Sequence, residues 1–146
     1  MMTTGYIFPA DGVVVRDLDL SGTNITALPD NLQVGRDLYL SYTKITALPD
    51  NLQVVGGLYL SCTNISNVTY KKDCGRNKRT IFAAFVNGEI QIGAGCFLGS
   101  LDRFEDEVSK SYSGESAEKY KNDARDCVDR LVKLLGTIQK LKVEVL

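Results

Sequence analysis

Apolar side chains return along the first half of the chain at a fixed interval. Leu18, Leu38 and Leu58 form one column, Leu20, Leu40 and Leu60 a second, Ile25, Ile45 and Ile65 a third, and Leu28, Leu48 and Val68 a fourth, with Thr23, Thr43 and Thr63 between them. The interval is twenty residues, and aligning 17–36 with 37–56 leaves differences only at 19/39, 22/42, 24/44, 35/55 and 36/56, so 15 of 20 positions are identical. Within each copy the run "DLYLS" alternates polar and apolar, the two-residue period of a strand with one buried face. One short strand per copy is therefore predicted, stacked in parallel on its equivalent in the next copy, so that each column becomes one wall of a shared core. Upstream, "IFPADGVVVR" aligns with "ALPDNLQVGR", setting Phe8, Pro9 and Val14 over Leu28, Pro29 and Val34, with Gly12 where Leu32 and Leu52 stand. Residues 1–16 are accordingly read as a degenerate N-terminal cap repeat, and 17–69 as the repeats proper.

The same alternation turns Asp19, Tyr39 and Tyr59 outward, flanked by Asp17, Asp37 and Gly57 on one side and by Gly22, Tyr42 and Cys62 on the other. Parallel strands lie ~4.8 Å apart, which makes Tyr39 and Tyr59 direct neighbours. The framework is nearly constant while these outward positions change in size and polarity. Asp19, Asp37, Tyr39, Tyr42, Tyr59 and Cys62 are therefore the expected partner-binding residues, since tyrosines on a rigid strand are large, amphipathic anchors with little rotamer entropy to lose. The competing reading is that the tyrosines simply suit strands, or pack under the C-terminal half.

After Val68 the period is lost. Residues 70–80 carry Lys71, Lys72, Arg76, Lys78 and Arg79 against Asp73 and read as a basic, solvated linker. In "TIFAAFVNGEIQIGAGCF" the pair Asn87 and Gly88 is the strongest two-residue hairpin signal. Counting back from that turn pairs Phe85 with Ile90, Ala83 with Ile92 and Ile81 with Ala94 on an apolar face. The other face pairs Val86 with Glu89, Ala84 with Gln91 and Phe82 with Gly93. Gly93, Gly95 and Gly99 fit neither phosphate-loop spacing and lack the Walker lysine. A bulge or tight strand exit is expected there, with Ser100 capping a helix over 101–111. A second helix is expected over about 116–135, ending at Gly136, with 137–146 open between frayed helix and strand. Residues 81–146 thus form a hairpin and helical C-terminal unit.

Composition narrows the chemistry. The formal charge of −1 gives no global drive toward nucleic acid or an anionic membrane. The longest apolar run, 81–86, is far short of the ~20 residues that span a bilayer. "MMTTGYIFPADG" has neither a basic n-region nor an apolar core, so no secretory signal is expected and the chain reads as cytoplasmic. With no histidine, and with Cys62, Cys74, Cys96 and Cys127 scattered outside any C-x-x-C pair, no metal ligands, cofactor site or catalytic residues are assigned.

These motifs resemble the short bacterial class of leucine-rich repeats, with "ITALPDNLQV" in place of that class's leucine-proline segment; the resemblance covers residues 7–68. The family usually has asparagine where Thr23, Thr43 and Thr63 stand, and a threonine hydroxyl bonds adjacent backbone more weakly. Such arrays occur in secreted bacterial effectors, and very similar phrases occur in small phage and prophage proteins. With the hairpin and helices, the resemblance implies an α+β fold: a short leucine-rich-repeat solenoid with a parallel sheet, capped by a C-terminal β-hairpin and two helices. It implies a non-enzymatic module that binds, and inhibits by occlusion, a host bacterial protein in the host cytoplasm, with no membrane or nucleic-acid partner and an open oligomeric state. Three alternatives stand beside it: a secreted effector, a nucleic-acid binder using the basic run 71–79, and a small thiol-dependent enzyme using Cys96 or Cys127. Effectors of this class can carry a ubiquitin-ligase domain with a Cys-x-Asp motif, which Cys127, Val128 and Asp129 match. That match is read as coincidence, because Cys127 falls on the apolar stripe of a helix and the chain beyond Tyr70 is too short for such a domain.

Overall fold

The computed structural model describes residues 6–144 and is an α+β fold with two short parallel sheets, one antiparallel sheet and two helices. Each twenty-residue copy contributes two strands rather than one. β1 (Val13–Val14), β3 (Gln33–Val34) and β5 (Gln53–Val54) form one parallel sheet, and β2 (Leu18–Asp19), β4 (Leu38–Tyr39) and β6 (Leu58–Tyr59) form the other. Val13 lies opposite Gln33 and Val14 opposite Val34 in the first; Leu18 lies opposite Leu38, and Leu38 opposite Leu58, in the second. The first sheet was not foreseen, because a two-residue strand is too short for a period of two to declare itself. The leucine, isoleucine and valine columns fill the space between the sheets.

Two recurring turns hold the copies in step. The amides of Gly12, Leu32 and Leu52 donate to the carbonyls of Pro9, Pro29 and Pro49 at 2.9, 3.3 and 3.2 Å, so the N-terminal segment repeats the turn of the later copies. The hydroxyls of Thr23, Thr43 and Thr63 donate to the carbonyls of Leu20, Leu40 and Leu60 at 2.6, 2.7 and 2.6 Å. Threonine thus closes each turn with its own side chain.

The C-terminal half is built on a four-stranded antiparallel sheet in the order β10-β9-β8-β7, from β7 (Val68–Cys74), β8 (Arg79–Val86), β9 (Glu89–Ala94) and β10 (Phe97–Gly99). Asn87 and Gly88 turn with φ of 58° and 77°, the positive pair that matches strand twist, and they set Val86 opposite Glu89 through to Phe82 opposite Gly93. Phe82 lies over Gly93, where any side chain would collide with its ring. Both faces of this sheet are buried. Val68, Phe82, Ala84 and Val86 close the core of the repeats, while Ile81, Ala83, Ile92 and Ala94 pack against Phe104, Val108, Tyr120, Ala124, Cys127 and Leu131 of α1 (Leu101–Ser111) and α2 (Gly114–Glu144).

Several expectations change. The run read as a basic linker is mostly strand: Tyr70 and Lys71 pair with Phe82 and Ile81, a bulge follows, and Cys74 pairs with Arg79. Its lysines hid the alternation of Val68 and Tyr70 toward the repeats with Thr69 toward α2, where the Thr69 hydroxyl donates to the Cys127 carbonyl at 2.7 Å. The glycine-rich stretch turns at Gly95 (φ 59°) into β10, which adds a strand beyond the expected hairpin, and Ser100 caps α1 by accepting from the Arg103 amide at 3.2 Å. The second helix begins two residues early and runs through Gly136 to Glu144 instead of ending at 135. A lone helical glycine costs only about 1 kcal/mol, too little to end a helix of 31 residues. Residues 145–146 of the open segment lie outside the described residues. Among the described residues, no helix is long and apolar enough to cross a membrane.

Candidate partner-binding site

The outward side of β4 and β6 carries Tyr39 and Tyr59 as a stacked pair, ring centroids 4.6 Å apart and planes 9° apart. Parallel register sets this pair, since Tyr39 lies directly opposite Tyr59. Asp37 fixes it from below. Its Oδ2 accepts from the Tyr39 hydroxyl at 3.2 Å and its Oδ1 from the Gly57 amide at 2.7 Å, while Asp17 Oδ1 accepts from the Asp37 amide at 2.9 Å. The aspartates form a ladder in which each copy receives the amide of the next. Gly57 ends that ladder because a Cβ there would stand 3.0 Å from the Tyr59 ring and 3.2 Å from the Cys96 carbonyl. Burial, then the bond to Asp37, holds the Tyr39 phenol above its ordinary pKa; burial, then the Asp37 charge, does the same for Tyr59.

The other expected residues sit at the margins. Asp19 accepts from the Ser21 amide at 3.0 Å. Tyr42 and Cys62 stand in the turn beyond the strand, at φ of 61° and 56°, where the first copy has Gly22 at 71°. That left-handed conformation suits glycine, and two copies spend it on side chains. Tyr42 is 67% exposed, and a hydrogen bond with the neighbouring Cys62 thiol raises its phenol pKa. Tyr39, Tyr59 and Asp37 are thus brought together on the strands, with Tyr42 and Cys62 as a second pair along the same edge.

Beside Tyr59 lies a feature that sequence reasoning missed: a cleft of about 330 Å³ lined by Leu58, Tyr59, Ser61, Arg79, Thr80 and Phe82, among others. Its two walls come from separate parts of the chain, and no spacing in the sequence announces their meeting. No family model, curated protein or solved structure matches this chain.

The alternative chemistries are placed as follows. Cys127 is fully buried, and burial pushes its thiol up to about 11. Cys74, also buried and beside Asp123, is pushed up to about 12; both shifts run opposite to what a nucleophilic thiolate needs. Cys62 and Cys96 are exposed. Among the described residues no cluster of histidine, cysteine or carboxylate side chains is placed to hold a metal ion. In the basic run, Lys71 pairs with Asp126 at 3.5 Å, and Arg76 bonds the Ser111 carbonyl and stacks over the Tyr112 ring at 4.1 Å. These side chains serve the junction between β7 and the helices.

Proposed function

We propose that this chain is a non-enzymatic protein-binding module: a short leucine-rich-repeat solenoid whose outward strand face engages one macromolecular partner. The observation that carries the reading is the Tyr39 and Tyr59 stack, held in place by Asp37 and by strand register before any partner arrives. Preset aromatic side chains lose little entropy on association, which is what makes tyrosine a productive anchor. The likeness of the repeated phrase to phage and prophage sequences supports an accessory role in an infected bacterium, with a host protein as the partner and occlusion of that protein as the mode of action.

The test pairs affinity with stability. Capture on the immobilised full chain from bacterial lysate supplies the partner, and Tyr39→Ala with Tyr59→Ala should then weaken its binding by about 2 kcal/mol or more. The thermal midpoint should move little, because both side chains project away from the core. An unchanged affinity, or a midpoint that collapses together with affinity, makes the tyrosines structural and ends this reading.

A further inference from the structure

In the first two copies, three amides per copy donate to the copy that follows. Leu18, Leu20 and Gly22 donate to the carbonyls of Asp37, Tyr39 and Ser41 at 2.9, 2.9 and 3.0 Å, and Leu38, Leu40 and Tyr42 donate to Gly57, Tyr59 and Ser61 at 2.9, 2.9 and 3.1 Å. The third copy has the same three donors, on Leu58, Leu60 and Cys62, and among the described residues none of them meets an acceptor. Leu58 and Leu60 are 1% and 3% exposed, so these amides are neither paired nor openly solvated, a combination folded proteins avoid. Leu58 and Leu60 line the 330 Å³ cleft.

Three neighbouring positions at this end, Val54, Leu48 and Ile65, do find partners. Asn87 covers the edge of β5, taking the Val54 amide at 2.7 Å and donating to the Val54 carbonyl at 3.0 Å, and Asn67 does the same for Leu48 at 2.9 and 2.9 Å. The Tyr70 hydroxyl takes the Ile65 amide at 3.1 Å. Asn67, Tyr70 and Asn87 therefore close the last copy on both sides of β6, and the β6 amides are left unpaired against the cleft.

We propose that the β6 edge is a strand-addition site for an extended, acidic peptide segment of the partner protein. This deepens the binding reading above and rests on it. Three amide donors on alternate residues match the carbonyls of one extended strand. A second copy stacked in continuation of the repeats does not fit, since its first strand would have to pair with β5, where Asn87 already bonds Val54. Charge selects the peptide's chemistry. Arg79 lines the cleft, its guanidinium packed where a side chain on Gly95 would stand, and among the described residues it has no ion pair or side-chain hydrogen bond. An Asp or Glu side chain on the incoming strand supplies the missing anion, and a charge-assisted bond inside a walled cleft is strong.

The probe is a displayed library of short random peptides selected on the full-length protein. Enriched peptides should carry Asp or Glu. Their affinity should fall on the order of tenfold or more with Thr80→Trp, which fills the cleft, and with Arg79→Glu, which reverses its charge. In the ¹⁵N-labelled protein they should slow amide exchange at Leu58, Leu60 and Cys62 and leave Leu38 and Leu40 as they were. The inference is overturned by a selection that enriches nothing over Thr80→Trp protein, by peptides whose affinity survives both substitutions, or by unchanged exchange at those three amides. Thermal midpoints check folding, and Arg79→Glu carries the test alone if Thr80→Trp unfolds. Tyr39→Ala alone, which leaves the cleft lining intact, separates the two proposals: natural-partner binding lost there but retained in Thr80→Trp keeps the tyrosine face and removes the edge.

Discussion

Two sheet edges face the C-terminal half at the last copy of the repeated phrase, and they are treated differently. At β5 a single side chain, Asn87, replaces the missing next strand: its amide carries a donor and an acceptor, as a peptide group does, and bonds both backbone groups of Val54. Its own backbone amide adds a bond to the Leu52 carbonyl at 3.0 Å. At β6 no described residue takes that role, although Phe82 and Tyr70 stand close enough to wall the space. The difference teaches that a stack of repeats is ended group by group. Apolar contact alone closes a core, but each backbone donor at the end still needs its own partner.

The largest effect should come from removing the closing sheet altogether. A chain ending at residue 70 exposes the repeat core that Phe82, Ala84 and Val86 now cover, and three copies barely suffice for a stable stack. It should show no cooperative thermal transition by circular dichroism; a sharp one would make both edges self-sufficient.

Asn87→Gly keeps the positive φ that the turn requires and deletes the seal, together with the bond from Asn87 Nδ2 to Gln91 Oε1 at 3.0 Å. With the Val54 amide and carbonyl left unpaired, urea unfolding should report a loss of about 2–4 kcal/mol. An unchanged midpoint would make the covered and open edges equivalent. Gly93→Ala tests the wall between them by driving a methyl into the Phe82 ring, with an expected cost of about 1–3 kcal/mol and a disturbed cleft.

A smaller effect contrasts the two faces of the antiparallel sheet. The helix-side core buries Cys74 and Cys127, pushed up to about 12 and about 11, whereas the repeat-side core has no thiol among its described residues. Between the ordinary thiol pKa of about 8.5 and those raised values the unfolded chain has lost protons that the folded chain keeps, so stability falls as pH rises. The contribution is present in full below about pH 8.5, and urea midpoints at pH 8 and pH 10 should differ less in Cys74→Ala than in the parent. The smallest effect belongs to Tyr42→Gly, which relieves a left-handed φ and should raise the thermal midpoint by less than about 1 kcal/mol in equivalent stability.

Legibility followed the length over which a pattern repeats. Leu38 opposite Leu58, the adjacency of Tyr39 and Tyr59, the Asn87 turn and the helix over 101–111 were readable because each rests on a periodicity or a local conformational demand that needs no distant partner. β7 was hidden because Lys71, Lys72 and Asp73 look solvated in sequence, while in the fold Lys71 meets Asp126 and Tyr70 reaches Ile65. The extension of α2 through Gly136 was hidden because a lone glycine reads as a stop but costs too little to end a long helix.

By itself the sequence determined the twenty-residue stacking, the inward leucine columns, the adjacency of the two tyrosines and the register of the central hairpin, all consequences of steric and hydrophobic preferences within short stretches. Only the tertiary structure decided which backbone groups of the last copy find partners. Asn87 reaches Val54 across 33 residues, and Arg79 meets the rim of β6 only after the antiparallel sheet has folded against the repeats. The physical reason is that hydrogen-bond satisfaction at an edge depends on which distant surface is packed there, and no local pattern encodes that surface.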